Sequence, residues 1–229
     1  MNARASEEGH GGFFPCLSLK TDCPMRFDLH IHTKRHSPDS EIDPFALVHR
    51  ARQVGLDGIV ITEHDWLWTV PELEELRAAE PGLVVLAGIE VSAAEGHFLV
   101  YGVHDPFALP RGIGVRALCE EVHRQAGAVV AAHPFRWGQP FDDILREERP
   151  ELDGMELMTN HMDPDMRRLA AEVQRQTRLA GLGSSDAHRE ETLGVCYTDF
   201  AAEIRSNANL VAAIRNRRAT ARDRATHPI

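Results

Sequence analysis

Apolar and polar residues alternate strictly along FDLHIHT, residues 27–33, with Phe27, Leu29 and Ile31 in one phase and Asp28, His30 and His32 in the other. Successive side chains of an extended chain point to opposite faces. The period of two therefore predicts a strand with an apolar face for a core and a polar face carrying one acid and two imidazoles. Further short apolar runs, GIVIT, GLVVLAGIEV, HFLVYGV, GAVVAAH, DGMELM and LAGLGSSD, each read as strands. Between them, patterns of helical period fall near residues 44–55, 71–79, 113–126, 141–148 and 164–179, several opened by Pro or Asp. A last helix with polar punctuation is predicted past Ala202, running to about Arg218.

Strands alternating with helices predict right-handed βαβ units around a parallel sheet. About seven strands suit a closed or nearly closed barrel better than a long open sheet. No G-x-G-x-x-G or P-loop glycine pattern speaks for a doubly wound nucleotide fold. The expectation is a single α/β domain over residues 25–218. Residues 1–24 mix Gly, Ser, Pro and charge without a period and read as a poorly ordered extension, with Met25 as a candidate natural start. Residues 219–229 read as a flexible tail, and no internal repeat is present.

At 229 residues, 43% hydrophobic and 26% charged, the chain has the length and composition for one sizeable core. No stretch approaches the ~20 apolar residues that span a bilayer. A formal net charge of -10 disfavours an extended groove for nucleic-acid backbone, while leaving room for a small phosphorylated substrate held by metal and a few arginines. The arginines near the C-terminus (205, 215, 217, 218, 222 and 224) read as a solvated helix face with a frayed end rather than a nucleic-acid arm. Cys16, Cys23, Cys119 and Cys196 form no C-x-x-C pair, and MNARASEEGH lacks the basic and apolar runs of a secretory signal. Both features suit the cytoplasm.

The remaining histidines and acids cluster where apolar runs end, in VITEHD, GIEVS, AAHPFR and GSSDAH. Loops after the strands of parallel α/β folds converge on one face, where active sites assemble. His30, His32, His64, Glu90, His133, Asp186 and His188 thus form a set of imidazole and carboxylate donors without a thiolate, suited to Zn, Mn or Fe. As independent buried residues each would need its own partner; as one metal site they explain one another.

In chain order, DLHIHT, ITEHD, GIEVS, GHFLVYG, AAHPF and GSSDAH resemble the successive motifs of the PHP (polymerase and histidinol phosphatase) phosphoesterases, from about Phe27 to His188. The resemblance implies a distorted (β/α)7 barrel related to the TIM barrel, with two or three divalent ions at its mouth, hydrolysing phosphate esters. It puts His30, His32 and Asp186 on one ion, with Glu90 bridging to a second ion that also takes His133. His97 completes the second site, with His104 as a competitor because it follows its strand. His64 and His188 resemble the ligands of a third ion. There the chain departs from the family's S-D-G-like turn: HTKRHSPDS offers Asp39 or His36, and a two-metal enzyme stays open.

Such paired cations activate a bridging water and neutralise the phosphate it attacks. Arg136 reads either as a clamp on a phosphate oxygen or as a surface arginine paired with an acid such as Asp142. Lys34 and Arg35 either draw in an anion or are idle loop residues. Asp28 is expected to orient a ligand imidazole, and Asp65 to do the same or to relay a proton to the leaving group. Trp66, Trp68 and Trp137 flank the mouth, as rim packing or as a stacking surface for a base or sugar. His10, His49, His123, His161 and His227 fall in no motif and read as ordinary residues. The expected activity is hydrolysis of a small phosphate monoester or a nucleotide, with no membrane and no stable nucleic-acid complex. A nuclease or oligonucleotide phosphodiesterase, and a catalytically silent metal-binding regulatory module, are the alternatives.

Overall fold

The computed structural model describes residues 24–227. The expected extension thus lies, but for Pro24, outside the described residues, as do Pro228 and Ile229. Among the described residues, nine strands form one sheet: β1 Met25–Asp28, β2 Gly58–His64, β3 Val84–Ser92, β4 His97–Tyr101, β5 Ala128–Ala131, β6 Gly154–Met158, β7 Ala180–Gly183, β8 Cys196–Phe200 and β9 Ala219–Asp223. Six α-helices accompany them: α1 Pro44–Gln53, α2 Val70–Ala79, α3 Val115–Arg124, α4 Phe141–Glu147, α5 Pro164–Thr177 and α6 Asn207–Arg215. Two start where the sequence signals them, since Asp43 caps α1 through the Phe45 and Ala46 amides and Asp163 caps α5 through that of Met166, each ahead of a proline. No helix among the described residues is long and apolar enough to cross a membrane.

The strand order β7-β6-β5-β4-β3-β2-β1-β8-β9 curls the sheet into a nearly closed barrel. At the seam, the Gly183 amide donates to Thr198 Oγ1 at 3.0 Å and that hydroxyl donates to the Gly183 carbonyl at 2.7 Å. A Cβ on Gly183 would stand 3.1 Å from the Arg222 amide, so a glycine is what lets β7 lie against β9.

The sheet is mixed, not parallel. β1/β2, β2/β3, β5/β6 and β6/β7 pair in parallel, whereas β3/β4, β4/β5, β1/β8 and β8/β9 are antiparallel. The segment between β3 and β4 is too short for a crossover helix, which forces a hairpin. The expected tail is a strand from Ala219: β9 pairs with β8 from Cys196↔Asp223 to Phe200↔Ala219. Its Arg222 is held by Asp199 at 2.8 Å, and its Asp223 takes Arg167 of α5 at 2.7 Å. The opening motif is also shorter as a strand than its alternation implies. β1 ends at Asp28, and the following residues leave the ladder apart from one bridge between Ile31 and Ala187.

The alternation along each strand sorts the core. On β2 and β3, Ile59, Ile61, Val85 and Ala87 pack outward against Leu47, Val48 and Ala51 of α1 and Leu73 and Leu76 of α2. The other phase, Val60 and Leu86, packs with Phe27, Leu99, Val130 and Leu182 and with Leu210 and Ile214 of α6. Glu90 shares the phase of Leu86 on β3, so the same periodicity that fills the barrel aims its carboxylate inward.

Candidate metal centre

Strand ends deliver the polar residues to one mouth. β2 ends at His64, in register with Glu90 on parallel β3, and antiparallel β4 begins at His97 opposite Ser92. His30 and His32 follow β1, His133 follows β5, and Asp186 and His188 follow β7. His133 and Asp186 hold left-handed backbone, at φ 27° and 52°, which turns each side chain back over the barrel.

Glu90 lies at the middle, 1% exposed. Its Oε2 is 3.3 Å from His30 Nε2 and 3.2 Å from His32 Nε2, and Asp186 Oδ1 stands 3.4 Å and 3.5 Å from the same two nitrogens. The two imidazole nitrogens are 3.0 Å apart. Ligand bonds of about 2.1 Å in a tetrahedral shell put donor atoms about 3.4 Å from one another, so these spacings suit one cation at the centre of the four groups. Glu90 Oε2 is buried with a third imidazole nitrogen, His64 Nδ1, 2.9 Å away, yet none of these nitrogens meets it in hydrogen-bonding geometry, an arrangement that suits a shared cation. The second oxygen, Oε1, lies 2.9 Å from His97 Nδ1 and 3.0 Å from His133 Nε2, a separate donor set. A third comes from Asp39, whose Oδ2 is 3.1 Å from His64 Nε2 and 3.2 Å from His188 Nε2, beside His32.

Of the paired alternatives, the structure brings His97 and Asp39 to the cluster. His104 follows antiparallel β4 at the far end of the barrel, where its amide donates to Gln125. His36 pairs with Glu72 at 2.9 Å and stacks on Trp66.

Charge holds the set in tension. Burial disfavours ionised Glu90, but the His30 and His133 imidazoles outweigh it and hold its carboxyl well below the usual range. Burial likewise opposes a charge on His64, yet Glu90 and Asp39 keep its pKa up at about 9. Without cations the acids thus trap protons on His30, His32 and His64.

Two buried carboxylates that sequence reading passed over orient the imidazoles. Glu156 on β6 lies 3.1 Å from His30 Nδ1, receives the His133 amide at 2.5 Å and accepts from Ser184. With Glu156 accepting from the His133 amide and from Ser184, His30 Nδ1 is set to donate to it as well, which would leave the Nε2 lone pair for a cation. Glu63 acts one step removed: it receives the Ser37 hydroxyl at 2.5 Å, and Ser37 Oγ stands 3.3 Å from His32 Nδ1. A lone acid inside an apolar run, as in GMELM, was the available signal. Asp28 does not play this part. Its carboxylate receives the Ser185 and Gly194 amides at 2.9 Å each, tying β1 to the loops before and after Asp186, and burial pushes its pKa up to about 6.

Arg136 does not pair with Asp142; its Nη1 sits 2.9 Å from Asp186 Oδ2, on the cleft wall. Asp65 receives the Ser92 amide at 2.7 Å and approaches Arg111 at 3.8 Å, lining the cleft without touching an imidazole. Lys34 lies elsewhere, drawn 3.0 Å from Asp43, and Arg35 faces Glu72 and Glu75. Trp68 is core, with its indole N–H on Glu63, while Trp66 and Trp137 are exposed at the rim. His161, read as ordinary, stands 3.9 Å from Asp186 Oδ2 beside His188; it too follows a strand, β6. His49 and His123 sit outside the mouth, on Glu80 and Asp153.

A family profile described as PHP-associated matches residues 164–219. The chain is 28% identical over 144 residues to an uncharacterized protein of Methanocaldococcus jannaschii, covering 58% of this chain and 81% of that one. It is 33% identical over 67 residues to a 5'-3' exoribonuclease of Haemophilus influenzae, covering 29% of this chain and 23% of the other. Among solved structures it is similar to a two-domain protein of Bacteroides vulgatus described as containing a PHP-like metal-dependent phosphoesterase, with TM-score 0.69 and 24% identity over 90% of this chain. The chain spans 66% of that structure's length. Barrel and profile agree: the chain has the fold of the PHP-like structure it resembles, and its residues 164–219 match the PHP-associated profile.

Proposed function

We propose that the protein is a metal-dependent phosphoesterase that hydrolyses a small phosphate monoester or a nucleotide. The observation that carries this reading is Glu90, whose two oxygens face different donor sets, His30 and His32 on one side and His97 and His133 on the other. A single carboxylate between two such sets is built to bridge two cations. His30, His32, Asp186 and Glu90 would hold one divalent ion, Glu90, His97 and His133 a second, and Asp39, His64 and His188 a third. Bound there, the ions would supply Lewis-acid charge and a water of lowered pKa.

The chain's own residues do the rest. Glu156 and the Ser37–Glu63 pair hold the His30 and His32 rings, so the donor set needs no rearrangement. Arg136 uses one N–H on Asp186, leaving its other donors for a non-bridging phosphate oxygen over the cluster. The similarity to an exoribonuclease favours a second reading, cleavage at the end of a nucleic-acid chain. The chain's net charge of -10 supports the small substrate over it.

A phosphate-release screen on the metal-reconstituted protein, over nucleotides, sugar phosphates and amino alcohol phosphates, tests the proposal. Release from a monoester is expected. Cleavage of polynucleotides alone would replace it with the nuclease reading, and no hydrolysis with any metal would favour the silent module.

A further inference from the structure

The cleft above the donor cluster has a volume of about 630 Å³ and continues into a second of about 560 Å³. His97, His133, Arg111, Arg136 and Trp137 line both. A phosphate over the cluster would fill only part of this volume, which leaves the second chamber for the remainder of a substrate.

Trp137 is the large side chain that the phosphate chemistry leaves unused. Its ring lies T-shaped to His97 and His133, with centroids 5.6 Å and 5.3 Å away. The Arg136 guanidinium lies over the ring at 4.1 Å. The residue nevertheless stays 71% exposed. Its backbone is strained in support of this pose: His133, Phe135 and Trp137 all hold positive φ, at 27°, 72° and 55°. Left-handed backbone at three non-glycine residues so close together persists only where its surroundings over-determine it, and such strain collects at ligand clamps. The result is an indole braced by two imidazoles, backed by a cation and open to the cleft.

We infer that Trp137 is the stacking platform for the base of a nucleotide whose phosphate lies over the donor cluster, which makes it a specificity-determining residue of the phosphoesterase reading proposed above. Base stacking on an aromatic face is strong and tolerant of which base is offered. The cation behind the ring adds polarisation. Arg111, 81% exposed and 3.8 Å from Asp65, adds positive charge on the approach for an anion entering an acidic protein.

Adenosine 5'-monophosphate and ribose 5-phosphate present the same phosphate on the same sugar carbon and differ in the base. With the metal-reconstituted parent, kcat/KM for the nucleotide is expected to exceed that for the sugar phosphate by about tenfold, the scale of one stacked base. Trp137→Ala should lower that ratio about tenfold, and Trp137→Phe should retain most of it. A 5'-phosphorylated dinucleotide in the same assay separates a free nucleotide from a chain end; either supports the platform if Trp137→Ala weakens it relative to ribose 5-phosphate. An unchanged ratio in Trp137→Ala overturns the inference while leaving the phosphoesterase intact. Should the parent cleave none of the three, the phosphoesterase reading fails, and calorimetric binding of adenosine against ribose decides alone: weaker adenosine binding in Trp137→Ala supports the platform, equal binding overturns it.

Discussion

His97 Nδ1 lies 2.9 Å from Glu90 Oε1 even though His97 opens its strand and the other clustered imidazoles sit at or beyond the ends of theirs. Antiparallel β4 explains the exception, since its first residue stands opposite Ser92, at the end of β3 that faces the mouth. Replacing His97 by Asn should therefore remove metal from the second donor set, weakening it by more than about 100-fold, beyond the range for outer-shell partners. His104→Asn should leave the metal content at the parental value. Metal analysis after dialysis against a weak chelator checks both, and the opposite pattern would reverse the assignment.

The C-terminal strand makes a prediction about stability. Removing residues 219–229 deletes β9, its ladder to β8 and the Arg167–Asp223 ion pair, and uncovers β7 at the seam. At about 1 kcal/mol for each net hydrogen bond lost, a ladder of this length costs on the order of 5 kcal/mol, or a Tm lower by about 15 °C for a domain of this size. A frayed tail would come off with no change in Tm. Thermal unfolding of the chain ending at Arg218 against the full chain distinguishes the two.

Proton release provides a third test. Burial opposes protonation of His64, but Glu90 and Asp39 hold its pKa up at about 9, so at neutral pH the metal-free protein carries a proton there. The sign follows from linkage: a raised folded pKa contributes stability that is complete below the ordinary histidine value of 6.5 and disappears as pH climbs through about 9. Metal-free protein should accordingly lose stability between those limits, and His64→Asn should flatten that slope. Loading metal at pH 7.5 should expel the proton, which calorimetry in buffers of different ionisation enthalpy will count. No proton release would place His64 outside the metal site.

Much of this mouth is legible in the sequence because strand periodicity and strand ends carry it. Once VITEHD, GIEVS and GSSDAH are read as strand ends, convergence of His64, Glu90 and Asp186 follows from the fold class. What stays hidden depends on strand direction and on partners far away in the chain. Neither HFLVYGV nor CYTDF states whether it runs parallel to its neighbour, so the choice between His97 and His104 had to wait for the β3–β4 hairpin, and β8 and β9 were absent from the expectation. Glu156 and Glu63 look like ordinary acids until burial shows each facing donors from distant segments, His30 and His133 for one and Thr33 and Ser37 for the other. Asp28 shows the reverse. Alternation put it beside His30 and His32, but β1 ends there and its carboxylate turns to the Ser185 and Gly194 amides.

The bridge itself is tested by a change of one atom. Glu90→Gln preserves the shape of the side chain and one carbonyl oxygen, but an amide nitrogen presents hydrogens where a second lone pair must face a cation, and the negative charge that offsets repulsion between two cations is gone. One donor set should stay occupied and the other should empty, so metal content falls by about one equivalent with the fold retained. Phosphate release should fall by at least ~100-fold, because a Lewis-acid cation contributes several kcal/mol to the developing charge. Phe107→Ala, at a ring 90% exposed and outside the cleft, supplies the control and should stay near the parent. Parental turnover in Glu90→Gln under limiting metal would remove Glu90 from the bridging role. A fall in turnover with full metal content would instead mean that Glu90 acts on substrate or water and that His97 and His133 bind their ion without it.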